Sequence, residues 1–294
     1  MITALKKHPT LLGAFYVFLG VFIFSAVNII VKDTASHYPI IQVLFIRFLT
    51  ALLPLLFLMR KNLTFEGLCS QKPKLQLSCA FMISIGVGCL FLSVQKMPLA
   101  DAQAISFSST LFLTALAHPL IGEKVGIRRW ISVIIGFIGV LIVINPSATI
   151  INVGGLYGLV FSILQAIVLL YSRILLKYDS PILTSFYICI VSCILCAPFL
   201  PFVWISPPLD HFLLLIVMGL GGGTAQLLIL SGYKHAEATV VSPILYTALV
   251  WGMLFDFIVW QHLPNSTMLI GAVIIISSSL YILLREHKKI HQPA

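Results

Sequence analysis

The chain has 294 residues, of which 60% are hydrophobic and 9% charged, with a mean hydropathy of +1.07 and a formal net charge of +9. Water-soluble domains carry about 25% charged residues, so this composition excludes a globular protein in water and makes lipid the main solvent. A helix crosses the hydrocarbon with about 20 residues, so ten such crossings occupy most of the chain and leave no room for a soluble domain.

Membrane-length apolar runs are predicted at residues 11–31, 40–59, 75–95, 100–121, 129–145, 153–174, 181–204, 210–232, 237–260 and 265–285. They are apolar all round and too long for barrel strands, so helices are expected throughout. Pro39, Pro98 and Pro181 stand near helix starts, and Pro54, Pro198 and Pro243 lie inside spans, where neighbouring helices tolerate them.

The first run follows Lys6 and Lys7 as a secretory leader would, but it is too long and lacks a small-residue cleavage site, so it is expected to stay in the mature protein. On one face it carries Ser25, Asn28 and Lys32. The second run holds Arg47 near its middle, a permanently charged guanidinium that needs an anion, carbonyls or water. It holds a substrate carboxylate or phosphate, fixes the bundle, or snorkels outward. The fourth run carries Asp101 in its first turn, where the helix dipole favours an anion. Gln103, Phe107, Thr110 and Thr114 form a stripe beyond it, with Ser106 on the flank. Ser162, Gln165 and Ser172 share a face of the sixth.

In the seventh run Cys189, Cys193 and Cys196 recur at i, i+4 and i+7 without a histidine or carboxylate to complete a metal site, so they are expected to pack. Gly219, Gly221, Gly222 and Gly223 in the eighth have no preceding strand or following lysine, and the spacing of Gly219 and Gly223 suits close helix contact rather than a phosphate loop. In the ninth, Ser242, Tyr246, Leu249, Met253, Asp256 and Trp260 fall within about 80° of one another at 100° per residue, with Trp251 opposite. Each polar stripe either lines a pathway or makes interhelical hydrogen bonds. Asp256, the one carboxylate well inside a span, is the natural seat of any proton coupling.

Apart from Lys32, Lys96 and Arg47, every lysine and arginine falls in alternate gaps between spans. By the positive-inside rule both termini are then cytoplasmic. The charge is a topology signal, and nucleic acid is not an expected partner. With an offset of 142, Gly13 matches Gly155 and Pro39 matches Pro181; with an offset of 136, Ala100-Asp101-Ala102 matches Ala236-Glu237-Ala238 and Ser106 matches Ser242. Each half then has five spans, an odd number, so the second half enters the membrane in the opposite direction.

Pro98-Leu99-Ala100-Asp101-Ala102 leading into Ile105-Ser106-Phe107, followed by Gly122-Glu123-Lys124-Val125-Gly126, Arg129-Trp130 and Gly136-Phe137-Ile138-Gly139-Val140, resembles the first half of an EamA-type member of the drug/metabolite transporter superfamily. Arg47-Phe48-Leu49, Tyr246-Thr247 with Val250-Trp251, and Leu269-Ile270-Gly271-Ala272 are similar to further blocks of that family. The resemblance covers nearly the whole chain. It implies an all-α membrane protein of ten transmembrane helices, with residues 1–150 forming one five-helix repeat and 151–294 a second, inverted one. It also implies a central cavity, alternating access and a place in the bacterial inner membrane. Thr110 stands where the family usually has proline, Gln261 where it often has glutamate, and Asp256 and Ser279 where glycine is common. Members carry amino acids, S-adenosylmethionine, riboflavin and drugs, so the resemblance leaves the cargo open.

The expected activity is therefore secondary transport of a small polar or amphipathic metabolite, with the lipid bilayer as surroundings, proton or counter-substrate coupling as an option, and no cofactor or metal. Substrate contacts are expected from Asn28, Arg47, Gln103, Phe107, Thr110, Gln165, Tyr246 and Asp256. A passive channel or scaffold is the alternative. A membrane enzyme is the weaker one: His118 and Glu123 diverge on a helix, His235-Ala236-Glu237 lacks a cysteine pair, and no serine stands in a Gly-x-Ser-x-Gly setting.

Overall fold

The computed structural model describes residues 9–34, 36–59, 69–121, 127–144, 153–175, 177–235 and 244–290. Among these residues every regular element is helical: α1 (Pro9–Thr34), α2 (Ile40–Met59), α3 (Pro73–Lys96), α4 (Leu99–Ser106), α5 (Ser109–Ile121), α6 (Ile127–Ile144), α7 (Val153–Leu175), α8 (Pro181–Cys196), α9 (Leu200–Val203), α10 (Leu209–His235), α11 (Thr247–Trp260) and α12 (Ser266–Ile290). Seven helical stretches are long and apolar enough to cross a membrane, and three shorter apolar helices, Trp130–Ile144, Thr247–Trp260 and Ser266–Ser278, fall within the fifth, ninth and tenth expected spans. Glu237, Ser242 and Pro243 lie outside the described residues.

Local chemistry accounts for the helix ends. Pro73 and Pro181 occupy first-turn positions, where a missing N–H costs nothing, and Ser180 Oγ accepts from Leu183 N–H at 3.2 Å as an N-cap. α11 stops on Gln261 in the left-handed region, φ 55°, where glycine is the usual choice.

Three expected continuous spans are interrupted among the described residues, the ninth at the turn residue Tyr246. The fourth breaks at Phe107 and Ser108, where Ser108 N–H bonds Ile105 O and Leu111 N–H bonds Ser108 O, each at 2.9 Å, in the tighter i to i−3 pattern. The seventh breaks at a single 3₁₀ turn, Ala197–Phe199, around Pro198, which cannot donate to the helical ladder. Pro54 interrupts nothing, and α2 continues through it.

α1 packs along α10, α3 along α7, and α6 along α12; α2 lies between α10 and α8, while α4 and α11 face each other. Lipid is as apolar as leucine, so helices in a membrane associate by close approach rather than by exclusion of water. Glycines supply that approach. A Cβ on Gly219 would overlap Thr50 Oγ1 and lie 2.6 Å from the Arg47 carbonyl oxygen, and one on Gly223 would sit 3.1 Å from the Ala51 backbone. Between α6 and α12 the contact is reciprocal, with Gly139 and Gly271 each set against the other's carbonyl oxygen.

Two large apolar clusters result among the described residues, with a smaller third around Val17 and Val21. One gathers Leu99, Ile105, Leu111, Val140, Leu249 and Met268; the other Val31, Val43, Leu55, Phe91, Leu215 and Met218. Large apolar side chains such as Leu53, Phe57, Ile134, Leu141, Val217 and Val250 point outward, as a lipid-facing surface requires. Polar latches pin two connections. The Gln42 amide exchanges both hydrogen bonds with the Ile205 backbone at 2.7 and 2.9 Å. Asp179 accepts from Ser70 Oγ and, at 3.1 Å, from Gln71 N–H.

Because backbone oxygen, not only a movable side chain, meets any Cβ at position 219, Gly219→Ala is expected to push α10 off α2. The cost is about 1–3 kcal/mol and should appear as a lower melting temperature of the detergent-purified protein. Gly86→Ala, whose Cβ would meet Leu164 and Phe161 at an ordinary 3.5 Å, is the control expected to leave melting unchanged.

Candidate functional site

α1, α4 and α11 converge where α1 ends and α4 begins. Lys32 Nζ, in the last turn of α1, donates to Asp256 Oδ1 at 3.0 Å, and the Ala100 N–H in the first turn of α4 donates to Asp256 Oδ2 at 2.8 Å. The ammonium also lies 4.2 Å from the centroid of the Trp260 ring. Asp256 is 2% exposed, yet both its oxygens are engaged. The Ala100 amide is one of the four donors that a helix start leaves without an intrahelical acceptor, and the dipole of α4 adds to its attraction for the carboxylate. One side chain thus ties three helices. Asp101 stands beside it and, with Asp256, Met253, His262 and Asn265, lines a small pocket at this end of the bundle.

One turn inward, the polar groups are buried but unmatched. Gln103 lies one turn beyond Ala100 on α4, and neither its Oε1 nor its Nε2 has a hydrogen-bond partner among the described residues. Gly252, one turn before Asp256, leaves it room, since a Cβ there would come within 3.0 Å of Gln103 Oε1. Asn28 Oδ1 and Ser25 Oγ on α1 are likewise unpartnered, as is Ser108 Oγ at the break between α4 and α5. At that break Phe107 meets Tyr246, the turn residue that precedes α11, with ring centroids 4.8 Å apart. Two interrupted helices therefore face each other at their interruptions, an arrangement that transporters place at substrate sites.

Arg47 on α2 is 6% exposed. Its guanidinium carbon lies 4.9 Å from the ring centroid of Phe91, 5.2 Å from Phe48 and 5.9 Å from Phe24. Its Nη1 has no hydrogen-bond partner among the described residues.

Of the residues singled out in the sequence, Gln103 and Asp256 share the α4–α11 contact, and Phe107 and Tyr246 stack. Arg47 and Asn28 are buried on α2 and α1. Thr110 is half-buried just past the break, where its carbonyl accepts from Thr114 Oγ1 at 3.1 Å. Gln165 is half-buried on α7 and makes no hydrogen bond to the others. Ser162 Oγ donates to the Ile105 carbonyl at 3.0 Å, so part of the α7 stripe joins helices. Trp251 packs on Phe22 and Phe18 of α1, with centroids at 4.9 and 5.9 Å. The partner of Asp256 was missed, although Lys32 is one of only three basic residues away from the basic gaps. Ser108 was missed too.

A family model described as the EamA-like transporter family matches residues 11–145 and again 152–284. A curated S-adenosylmethionine uptake transporter of Rickettsia bellii (strain RML369-C) is 28% identical over 278 residues, covering 92% of this chain and 94% of its own. A riboflavin transporter of Vibrio cholerae is 27% identical over 294 residues, with 97% of each chain covered. A pseudopaline exporter of Pseudomonas aeruginosa is 23% identical, with 94% and 96% covered. One solved crystal structure superposes with a TM-score of 0.65 at 13% identity, over 95% of this chain and 99% of that one, which is a likeness of fold.

The Asp256 carboxylate is buried and the Lys32 ammonium partly so, and removing one partner of such a pair leaves an uncompensated charge, at up to about 3–5 kcal/mol. Lys32→Gln and Asp256→Asn should therefore each lower the melting temperature markedly, and the double variant by clearly less than their sum. Strict additivity in this double-mutant cycle would show that the two side chains do not interact.

Proposed function

The chain belongs to the EamA-like transporter family, and on that premise we propose that it is a secondary transporter carrying a small polar or amphipathic metabolite across the bacterial inner membrane by alternating access. The observation that carries this reading is a tether at one end of the bundle, Lys32 to Asp256 to Ala100, lying over buried polar atoms that lack partners. A scaffold has no use for unmatched polar groups in its core, and an open channel has no use for a lock across its mouth.

The working fold is ten helices in two inverted halves, residues 1–150 and 151–294. Support comes from the way helix contacts exchange under the proposed repeat, which pairs α1 with α7, α2 with α8, α3 with α10, α4 and α5 with α11, and α6 with α12. The contact of α1 with α10 answers that of α7 with α3; α10 with α2 answers α3 with α8; and α11 with α1 answers α4 and α5 with α7. With cytoplasmic termini, as the basic gaps require, the tether lies at the outer mouth, and the conformation described is closed to the outside.

Asn28, Arg47, Gln103, Phe107, Thr110, Gln165, Tyr246 and Asp256 would contact cargo as it crosses. Amide and hydroxyl groups would take its polar atoms, and the Phe107–Tyr246 pair a ring or apolar body. The relatives named for S-adenosylmethionine, riboflavin and pseudopaline fit that description of cargo. Opening the mouth requires Asp256 to release Lys32, and protonation of the carboxylate would do so, which gives proton coupling a place to act. No catalytic role is assigned to any residue.

Counterflow in proteoliposomes tests the carrier. Vesicles preloaded with unlabelled S-adenosylmethionine should take up the labelled compound saturably and transiently above its equilibrium level, and Gln103→Ala and Tyr246→Ala should each cut that uptake by about tenfold, the loss of about 1.4 kcal/mol of binding. Linear uptake without counterflow, repeated with riboflavin, would indicate a passive pore.

A further inference from the structure

Lys32 and Arg47 are cations within the helical bundle, and the fold treats them differently. Lys32 has a carboxylate at 3.0 Å and an indole ring at 4.2 Å. Arg47 is more deeply buried, yet no carboxylate pairs with it among the described residues and its Nη1 has no acceptor. The three phenylalanine rings around it stabilise a positive charge through their π faces, but they accept none of its hydrogen bonds. The Nε and Nη2 edge is covered by α10, where a Cβ on Gly222 would lie 3.1 and 3.4 Å from those two atoms. The corner of the guanidinium left without an acceptor is Nη1, which is itself buried.

A guanidinium cannot shed its charge as a lysine can, and a buried charge persists only when paired or hydrogen-bonded. If Arg47 served only to fix the bundle, a carbonyl or carboxylate of a neighbouring helix would take Nη1, as Asp256 takes Lys32. Instead α1, α2 and α3 surround it with aromatic carbon. Such a site favours an arriving anion twice over: low-dielectric walls strengthen the attraction, and the ligand supplies the acceptor that the protein withholds. A planar carboxylate matches the planar fork of donors in charge and shape.

We propose that Arg47 is the docking point for a carboxylate group of the transported metabolite. The inference rests on the carrier reading and adds the chemical class of the cargo. It also separates the kinds of compound for which relatives are named, because riboflavin has no carboxylate and S-adenosylmethionine has one.

The test is ligand-induced stabilisation of the detergent-purified, full-length protein, which reads binding without requiring transport. The probes are the proteinogenic L-amino acids, S-adenosylmethionine and short mono- and dicarboxylates, each beside its methyl ester, together with riboflavin, inorganic phosphate and sulfate. At least one carboxylate is expected to raise the melting temperature, and its ester to need at least about tenfold more ligand for the same rise. Arg47→Lys, which keeps the charge and loses the fork, is expected to bind the acid about tenfold more weakly while binding the ester as the unaltered protein does. The proposal is overturned if no carboxylate stabilises the protein, if acid and ester act alike, or if only phosphate or sulfate acts. Should Arg47→Lys fail to fold, the acid and ester comparison on the unaltered protein still decides. Carboxylate-selective binding without counterflow would remove the carrier reading alone; counterflow of a compound whose ester travels equally well would remove the Arg47 assignment alone.

Discussion

The fold is governed by the absence of water from the hydrocarbon. A charge or hydrogen-bonding group placed there must find its partner inside the protein, so the pattern of matched and unmatched groups carries mechanical information. The Lys32–Asp256 pair is the clearest match. Asp256 satisfies one oxygen with an ammonium from α1 and the other with a backbone amide from α4, so displacing any one of the three helices leaves a charge or a dipole exposed to apolar surroundings.

The rest of the bundle is held by a different force. Along α10, close approach at Gly219 and Gly223 brings the backbone of α2 within van der Waals distance, and α6 and α12 meet in the same way at Gly139 and Gly271. These seams depend on small residues over long stretches and tolerate little separation, whereas the tether depends on a few polar atoms at one end. α11 has its capped, tethered end at Asp256 and its interrupted end at Tyr246.

Much of this was legible in the sequence because one-dimensional signals carry it. Length and hydropathy place the spans, prolines mark starts at Pro39, Pro98 and Pro181, and the spacing of Gly219 and Gly223 announces a close crossing. The helical wheel separates Trp251, which packs on α1, from the face that carries Asp256. What escaped was pairing across distance. Lys32 and Asp256 are 224 residues apart, and nothing in the periodicity of either span says that they meet. The break at Phe107 and Ser108 escaped for another reason: no proline or glycine stands there, and α4 and α5 share α6 and α7 as neighbours while α4 also packs on α11. Pro54 teaches the converse, since a residue that should break a helix lies inside an unbroken one.

The two buried cations complete the physical picture. A protein closing a chamber in lipid has to neutralise whatever charge it leaves inside, and this chain does so for Lys32 with its own carboxylate, whereas among the described residues Arg47 meets three aromatic rings and no carboxylate. The asymmetry makes the empty closed state easier to reach at the mouth than at the centre. An anion bound to Arg47 would lower the electrostatic cost of the interior without touching the gate, whereas a proton on Asp256 would loosen the gate without touching the interior. Under the proposed carrier reading, loading and opening would be controlled by separate charges on separate helices, which would allow binding before opening.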